Sequence, residues 1–134
     1  MAVQYSVTHR TNVGTQLATD IGVNAVIKIF TGAPPANCST ADTGTLLVTF
    51  AGNATQYGTS VAGVLTTSAI ANATASGSGT AGYYRIYPSA ATTTNAVEQG
   101  TVATSAADMI VTSATITSGQ TCAFTSKTIT VYGA

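Results

Sequence analysis

The sequence predicts an all-β fold, a β-sandwich or jelly roll of about eight short strands with one short N-terminal helix. Three observations predict it. Short segments alternate apolar and polar residues, and turns rich in Gly, Pro, Asn and Ser separate these segments. Thr, whose β-branched side chain suits a half-exposed pleated sheet, occurs 27 times. The length of 134 residues fits one domain, which we assign to residues 1–134.

The chain carries very little charge. Four Lys and Arg residues balance four Asp and Glu residues, so charged residues make up 6% of the sequence, against about 25% in an average soluble protein. Too few cations are present to neutralise nucleic-acid phosphates or an anionic membrane surface, so we expect neither partner. Because a neutral monomer is hard to keep in solution, the composition suggests a protein that stays packed against a partner.

Residues 3–8 form the first predicted element, a strand. Val3, Tyr5 and Val7 alternate with polar residues, so one face of this strand is apolar. The segment contains neither Pro nor Lys, which commonly protect an edge strand. Val3, Tyr5 and Val7 are therefore candidate partner-binding residues that would extend the sheet of a neighbour. The alternative is an ordinary edge strand of the protein's own sheet.

A short helix is predicted over about residues 11–21. Val13, Leu17 and Ile21 are four residues apart, which places them on one face of a helix. The Thr or Asn at its start would cap it, and Gly22 would end it.

Seven more segments are predicted to be strands, because each alternates apolar and polar residues or is rich in β-branched ones. They are residues 25–30, 46–50, 64–70, 83–87, 95–104, 109–117 and 122–132. Two prolines exclude a central strand after the first of these and predict a long turn over residues 31–44. Residues 118–120 are predicted to form a hairpin turn between the last two strands.

The last predicted strand has two apolar pairs of opposite parity. Cys122 and Phe124 share one parity, whereas Ile129 and Val131 share the other. A regular strand would place the two pairs on opposite faces of the sheet. We therefore predict a bulge near residues 126–127 that turns both pairs inward.

The sequence contains no catalytic or metal-binding motif. His9 is the one histidine, it has no acid near it in sequence, and no serine lies in a GxSxG motif. The four carboxylates, at Asp20, Asp42, Glu98 and Asp108, are too scattered to predict a glycosidase pair or a calcium loop. We therefore expect a protein that is not an enzyme and has no cofactor and no metal.

Cys38 and Cys122 lie far apart, and neither belongs to a CxxC motif. In a reducing cytoplasm both are expected to be buried thiols, with a Cys38–Cys122 disulfide as the alternative. The sequence shows no signal peptide and no apolar run of about 20 residues. We therefore expect the protein to be made in a cytoplasm and to have no membrane partner.

Residues 83–87 contain the most distinctive surface candidate. Tyr84 and Ile86 share one face of the predicted strand, and Tyr83, Arg85 and Tyr87 share the other. If the first face packs on the core, an aromatic–cation–aromatic row faces outward, and Tyr and Arg are enriched at interface hot spots. Tyr83, Arg85 and Tyr87 are therefore candidate partner-binding residues. The alternative is that Arg85 contacts only its neighbours within the sheet.

Four segments occur in a characteristic order. They are residues 27–35 (IKIFTGAPP), 43–50 (TGTLLVTF), 79–87 (GTAGYYRIY) and 99–108 (QGTVATSAAD). Over roughly residues 10–132 this order resembles a family of small tailed-phage virion proteins that are often encoded close to the major capsid protein. The family pattern has Tyr-Asp-Gly where this chain has Phe30-Thr31-Gly32, Trp-Phe where it has Tyr83-Tyr84, and Gly where it has Ala106.

The resemblance implies a capsid decoration, or cement, protein that binds the outside of the head lattice and links capsomers. The implied partners are the major capsid protein and further copies of the chain, as a dimer or trimer, on the capsid surface of a virion made in the host cytoplasm. With so little charge, attachment is expected to survive about 1 M salt. The alternative is a tail or fibre component with a receptor- or glycan-binding role, for which the six tyrosines would supply stacking surfaces.

Overall fold

A computed structural model describes residues 3–124 and 127–131 of the chain. Within these residues the chain forms one helix and ten short strands. In chain order they are α1 (Val7–Ile21), β1 (Val26–Thr31), β2 (Leu46–Ala51), β3 (Val64–Thr66), β4 (Ile70–Thr74), β5 (Gly79–Tyr87), β6 (Glu98–Ala103), β7 (Met109–Ile110), β8 (Thr115–Ile116), β9 (Thr121–Phe124) and β10 (Thr128–Thr130).

The main sheet is built around β1 and β5. Its strand order is β2-β1-β5-β6-β7, all neighbours are antiparallel except β6 and β7, and β8 pairs with the start of β5. Ile27 and Ile29 of β1 lie beside Ile86 and Tyr84 of β5. All four side chains are buried, so they define the inner face of the sheet.

Two two-stranded ribbons, β3–β10 and β4–β9, pack against this inner face. The ring of Phe124 in β9 lies 5.6 Å from the ring of Phe50 in β2, between centroids. Ile70 of β4 and Ile129 of β10 pack on the same core. The three sheets therefore share one apolar core, and within the described residues none of them closes on itself. The prediction of a mostly β fold with one short helix is confirmed.

Helix α1 begins before the predicted position. Ser6 is its N-cap, and the Ser6 Oγ accepts a hydrogen bond from the backbone N–H of His9 at 3.2 Å. Gly22, with a φ of 73°, ends the helix as predicted. The helix packs closely through Gly14, where a Cβ would stand 2.2 Å from the Oγ of Ser60.

The predicted first strand over residues 3–8 is wrong. Residues 3–6 have no regular secondary structure, and Val7 already belongs to α1. Alternation of apolar and polar residues over so short a segment does not distinguish a strand from an extended lead into a helix. Here the cap at Ser6 decides, because it satisfies a free N–H of the first helical turn.

Three of the predicted strands are each split in two. Residues 64–70 become β3 and β4, 109–117 become β7 and β8, and 122–132 become β9 and β10, because the two halves pair with different strands. The hairpin predicted around residues 118–120 is therefore wrong, although a turn is present, with the Gln120 N–H bonded to the Thr117 carbonyl at 2.9 Å. Residue 126 of the predicted bulge lies outside the described residues. Phe124 and Ile129 nevertheless pack on the same core, from different sheets.

Gly82 allows β5 to lie against the turn that follows β1. A Cβ at this position would stand 2.0 Å from the carbonyl oxygen of Gly32, which is a backbone atom that cannot rotate away. We expect Gly82→Ala to lower the free energy of unfolding by about 1–3 kcal/mol, measured by urea denaturation. Gly58→Ala is the control, because no atom lies within 4 Å of a Cβ there. Equal losses in the two variants would contradict this packing.

Candidate interaction surfaces

Tyr83, Arg85 and Tyr87 lie on the face of the main sheet opposite the core, as the strand parity predicts. All three residues are nevertheless fully buried, each with a relative exposure of 0%. Residues 32–45 connect β1 to β2 and are called the covering loop below. This loop lies over Tyr83, Arg85 and Tyr87 and forms hydrogen bonds with Tyr83 and Arg85. The expectation of an exposed aromatic–cation–aromatic surface is therefore wrong, because the row contacts the protein's own loop.

The guanidinium of Arg85 holds the covering loop in place. Its Nη1 donates to Oδ1 of Asp42 at 2.9 Å and to the carbonyl of Thr40 at 2.8 Å, and its Nη2 donates to the carbonyl of Asn37 at 2.9 Å. From the neighbouring strand β6, Oε1 of Gln99 accepts from Nε at 3.0 Å and from Nη2 at 2.8 Å. The buried cation is thus paired and hydrogen-bonded within the chain, as burial of a charge requires.

The sequence of the covering loop explains how it reaches Arg85. Pro34 and Pro35 lack an N–H, so this part of the chain cannot continue the sheet. The side-chain oxygen of Asn37 accepts hydrogen bonds from the backbone N–H groups of Ser39 and Thr40, at 3.0 Å each. This turn places the carbonyls of residues 37 and 40 against the guanidinium.

The two tyrosines beside Arg85 also bond to the covering loop. The hydroxyl of Tyr87 donates to the carboxylate of Asp42, and the hydroxyl of Tyr83 donates to the carbonyl of Thr43 at 2.6 Å. The Nζ of Lys28 lies 4.7 Å from the ring centroid of Tyr87. Burial, together with the hydrogen bond to Asp42, raises the pKa of the Tyr87 hydroxyl. The whole row therefore joins the loop to the sheet.

A second ion pair lies on the opposite, inner face of the sheet. The Nζ of Lys127 is 2.6 Å from Oε1 of Glu98, and the two side chains are 5% and 17% exposed. The hydroxyl of Tyr84 donates to the same oxygen, and the Lys127 Nζ lies 4.8 Å from the Tyr84 ring centroid. Burial and the charge of Glu98 raise the pKa of the Tyr84 hydroxyl. The sequence reasoning missed this cluster, because its members share no local pattern.

The remaining carboxylates also have partners within the chain. Asp20 accepts a hydrogen bond from Gln16 at 2.9 Å, and Asp108 accepts from the N–H and hydroxyl of Thr101 at 2.8 Å each. The hydrogen bonds from Thr101 lower the pKa of Asp108. His9 is exposed on α1, and residues 3–124 and 127–131 contain no group of three or more His, Cys, Asp or Glu placed to hold a metal. Over the same residues, α1 lacks the length and apolar character that a membrane crossing needs.

Residues 3–6 are called the leading segment below. They precede α1 and are exposed to solvent. Val3 is 75% exposed and Tyr5 is 47% exposed, and Val7 at the start of the helix is 57% exposed. The ring of Tyr5 rests 5.1 Å from the ring of His9, between centroids. The three residues predicted to bind a partner are therefore accessible, but they do not form a strand in the single chain.

More exposed apolar side chains lie on and beside α1. Val13 is 42% exposed on the helix, and Val61 is 72% exposed in the turn before β3. That turn is attached to the helix, since the N–H of Ala62 donates to the hydroxyl of Thr11 at 3.2 Å. The exposed side chains of Val7, Val13 and Val61 are together called the helix-side surface below.

An open apolar cleft of about 290 Å³ lies between β9 and the chain at and after β7. Buried side chains from several strands form its floor, and the exposed or half-buried residues 110–113 and 120–123 form its rims. The floor residues are Ile29, Val48, Phe50, Met109, Ile116 and Phe124. None of the described residues that line this inter-strand cleft is charged.

Cys122 also lines the inter-strand cleft. Cys38 and Cys122 are both free and both half-buried, so the disulfide alternative is wrong and burial is less complete than expected. Desolvation raises the pKa of the Cys122 thiol.

Comparison with known proteins gives no information about the role of this chain. No family model, no curated protein and no solved structure matches the chain. The functional argument therefore depends on the helix-side surface, the inter-strand cleft and the charge distribution described above.

The pairing of Arg85 with Asp42 can be tested through stability. Asp42→Ala leaves a fully buried guanidinium without its carboxylate, so we expect the free energy of unfolding to fall by about 3–5 kcal/mol in urea denaturation. Asp20→Ala removes a carboxylate that bonds to Gln16 on the exposed side of α1. This control should lose less than about 1 kcal/mol. Similar losses in the two variants would contradict the proposed importance of Arg85.

Three tyrosines are expected to resist alkaline titration. Burial raises the pKa of the hydroxyls of Tyr57, Tyr84 and Tyr87. A raised pKa in the folded state contributes stability that is fully present below the unfolded value of about 10 and is lost as the pH rises above it. Ultraviolet absorbance of tyrosinate should therefore show these three hydroxyls ionising only when the chain unfolds. Ionisation of all six tyrosines in the folded protein would contradict this.

Proposed function

We propose that this protein is a capsid decoration protein of a tailed phage, which binds the outside of the head lattice, links neighbouring capsomers and has no catalytic role. We further propose that its fold is an open β-sandwich of the jelly-roll kind. In that arrangement the main sheet is one layer, and the ribbons β3–β10 and β4–β9 form the other. The observation that carries the functional proposal is the set of exposed apolar side chains on the helix-side surface.

Exposed apolar groups on the helix-side surface favour attachment to another protein. Val61 and Val13 are 72% and 42% exposed, and burying a valine side chain is worth about 1.5–3 kcal/mol. The surrounding chain offers few charges that could guide a different mode of binding.

The segments that resemble the virion family lie in the framework of the fold. Residues 79–87 are β5, and residues 99–108 contain most of β6 and the turn in which Asp108 bonds to Thr101. The resemblance therefore supports a shared scaffold, whereas the proposed role rests on the helix-side surface.

The alternative of a glycan-binding tail component receives less support. Stacking on sugars needs exposed aromatic rings, but Tyr83, Tyr84 and Tyr87 are buried. Tyr57 is half-buried, so among the described residues Tyr5 is the most exposed tyrosine. Copy number separates the two roles, because a decoration protein is present in many copies on each particle and a tail-tip protein in few.

Attachment to particles that lack the protein tests the proposal by co-sedimentation. Because apolar burial is little affected by ionic screening, binding should persist in about 1 M salt. Val61→Asp and Val13→Asp should each weaken binding about tenfold or more, since each places a charge in an apolar contact.

Ser89→Asp is the matched control for these two variants. It adds the same charge at an exposed position outside the helix-side surface, and binding should be unchanged. Release of the wild-type protein by moderate salt, or an equal loss in Ser89→Asp, would contradict the proposal.

A further inference from the structure

We propose that the inter-strand cleft binds the leading segment of a second copy of this chain as an added β-strand. This inference goes beyond the capsid role and does not depend on it, because it joins two features of the chain itself. One feature is a cleft between two strands with open edges, and the other is an exposed apolar segment without a strand partner.

The two strands that border the cleft each have an open edge. Within the described residues, β9 pairs with β4 alone and β7 pairs with β6 alone. No residue of β4 or β6 lines the cleft, so the cleft borders the opposite edges of β9 and β7. Open strand edges present unpaired N–H and C=O groups, which an extended segment can bond.

The floor of the cleft fits the two apolar side chains of the leading segment. A cavity of about 150 Å³ holds one benzene ring, so about 290 Å³ has room for one aromatic and one aliphatic side chain. The two open strand edges favour a peptide segment over a free ligand.

The leading segment has the pattern that such a strand needs. Val3 and Tyr5 have the same parity, so both would point to the floor, whereas Gln4 and Ser6 would point to solvent. Its four residues span about 13 Å when extended. Neither the segment nor the lining of the cleft contains a charged residue, so no charge would be buried without a partner.

The position of the leading segment in the single chain favours a second copy as the chain that supplies the added strand. In the single chain, Tyr5 rests against His9 on α1, and no residue of the leading segment lines the cleft. The helix is held elsewhere, by the contact between Gly14 and Ser60. Reciprocal exchange of leading segments would give a closed dimer, and head-to-tail exchange around a three-fold axis would give a closed trimer.

Cys122 in the cleft provides a direct test by disulfide trapping. With Cys38→Ser as background, Val3→Cys and Tyr5→Cys are made separately and oxidised mildly at slightly alkaline pH. We expect a disulfide to Cys122 that links two chains, seen as covalent oligomers on a non-reducing gel. Gln4→Cys, of opposite parity, is the matched control and should link far less, and adding Cys122→Ser should abolish the product.

Self-association provides a second, independent measurement. Light scattering should show a dimer or trimer for the wild-type chain and for Gln4→Asp, but a monomer for Val3→Asp. A wild-type chain that remains monomeric at high concentration would overturn the proposal, and so would equal behaviour of the two Asp variants. Trapping within one chain would also overturn it, because the segment would then fill its own cleft. Failure to attach to particles would bear on the capsid role alone.

Discussion

The burial of Arg85 determines how the covering loop packs on the outer face of the main sheet. A guanidinium in the middle of a central strand cannot stay buried without a carboxylate and several carbonyls around it. The strands on either side supply Gln99 and a second cation, Lys28, directly opposite Arg85. The covering loop therefore supplies Asp42 and two carbonyls, and Thr93, between β5 and β6, supplies a further carbonyl at 3.3 Å from Nη1.

This constraint explains where sequence reasoning succeeded and where it failed. Alternation located β1, β2 and β5 and the correct parity of Arg85, because successive side chains of a strand point to opposite faces of the sheet. Parity alone, however, places a cation toward solvent. The pairing of Arg85 with Asp42 spans 43 residues, and no local pattern reports it. The division of residues 109–117 into two strands also depends on contacts distant in sequence. Strand β7 pairs with β6, whereas β8 pairs with β5.

The leading segment shows a different limit of sequence reasoning. Val3, Tyr5 and Val7 have the alternation of a strand, but a strand also needs an edge to pair with. Within one chain the cap at Ser6 places the segment beside α1 instead. The same residues remain exposed and apolar, so the property that suggested a partner site survives even though the secondary structure does not.

The use of charge connects the fold with the proposed function. Of the eight charged residues, four form the ion pairs Arg85–Asp42 and Lys127–Glu98 within the described part of the chain. The outer surface therefore carries even less charge than the composition suggests. Such a surface suits close, neutral packing on a protein lattice whose repeated sites make weak contacts effective.

A cryo-EM reconstruction of the particle that carries this protein tests the proposed role most directly. Decoration of the head predicts density for the protein at regularly repeated positions over the capsid shell, with the helix-side surface facing the capsid protein. Density confined to the tail, or a shell that lacks the protein, would contradict it.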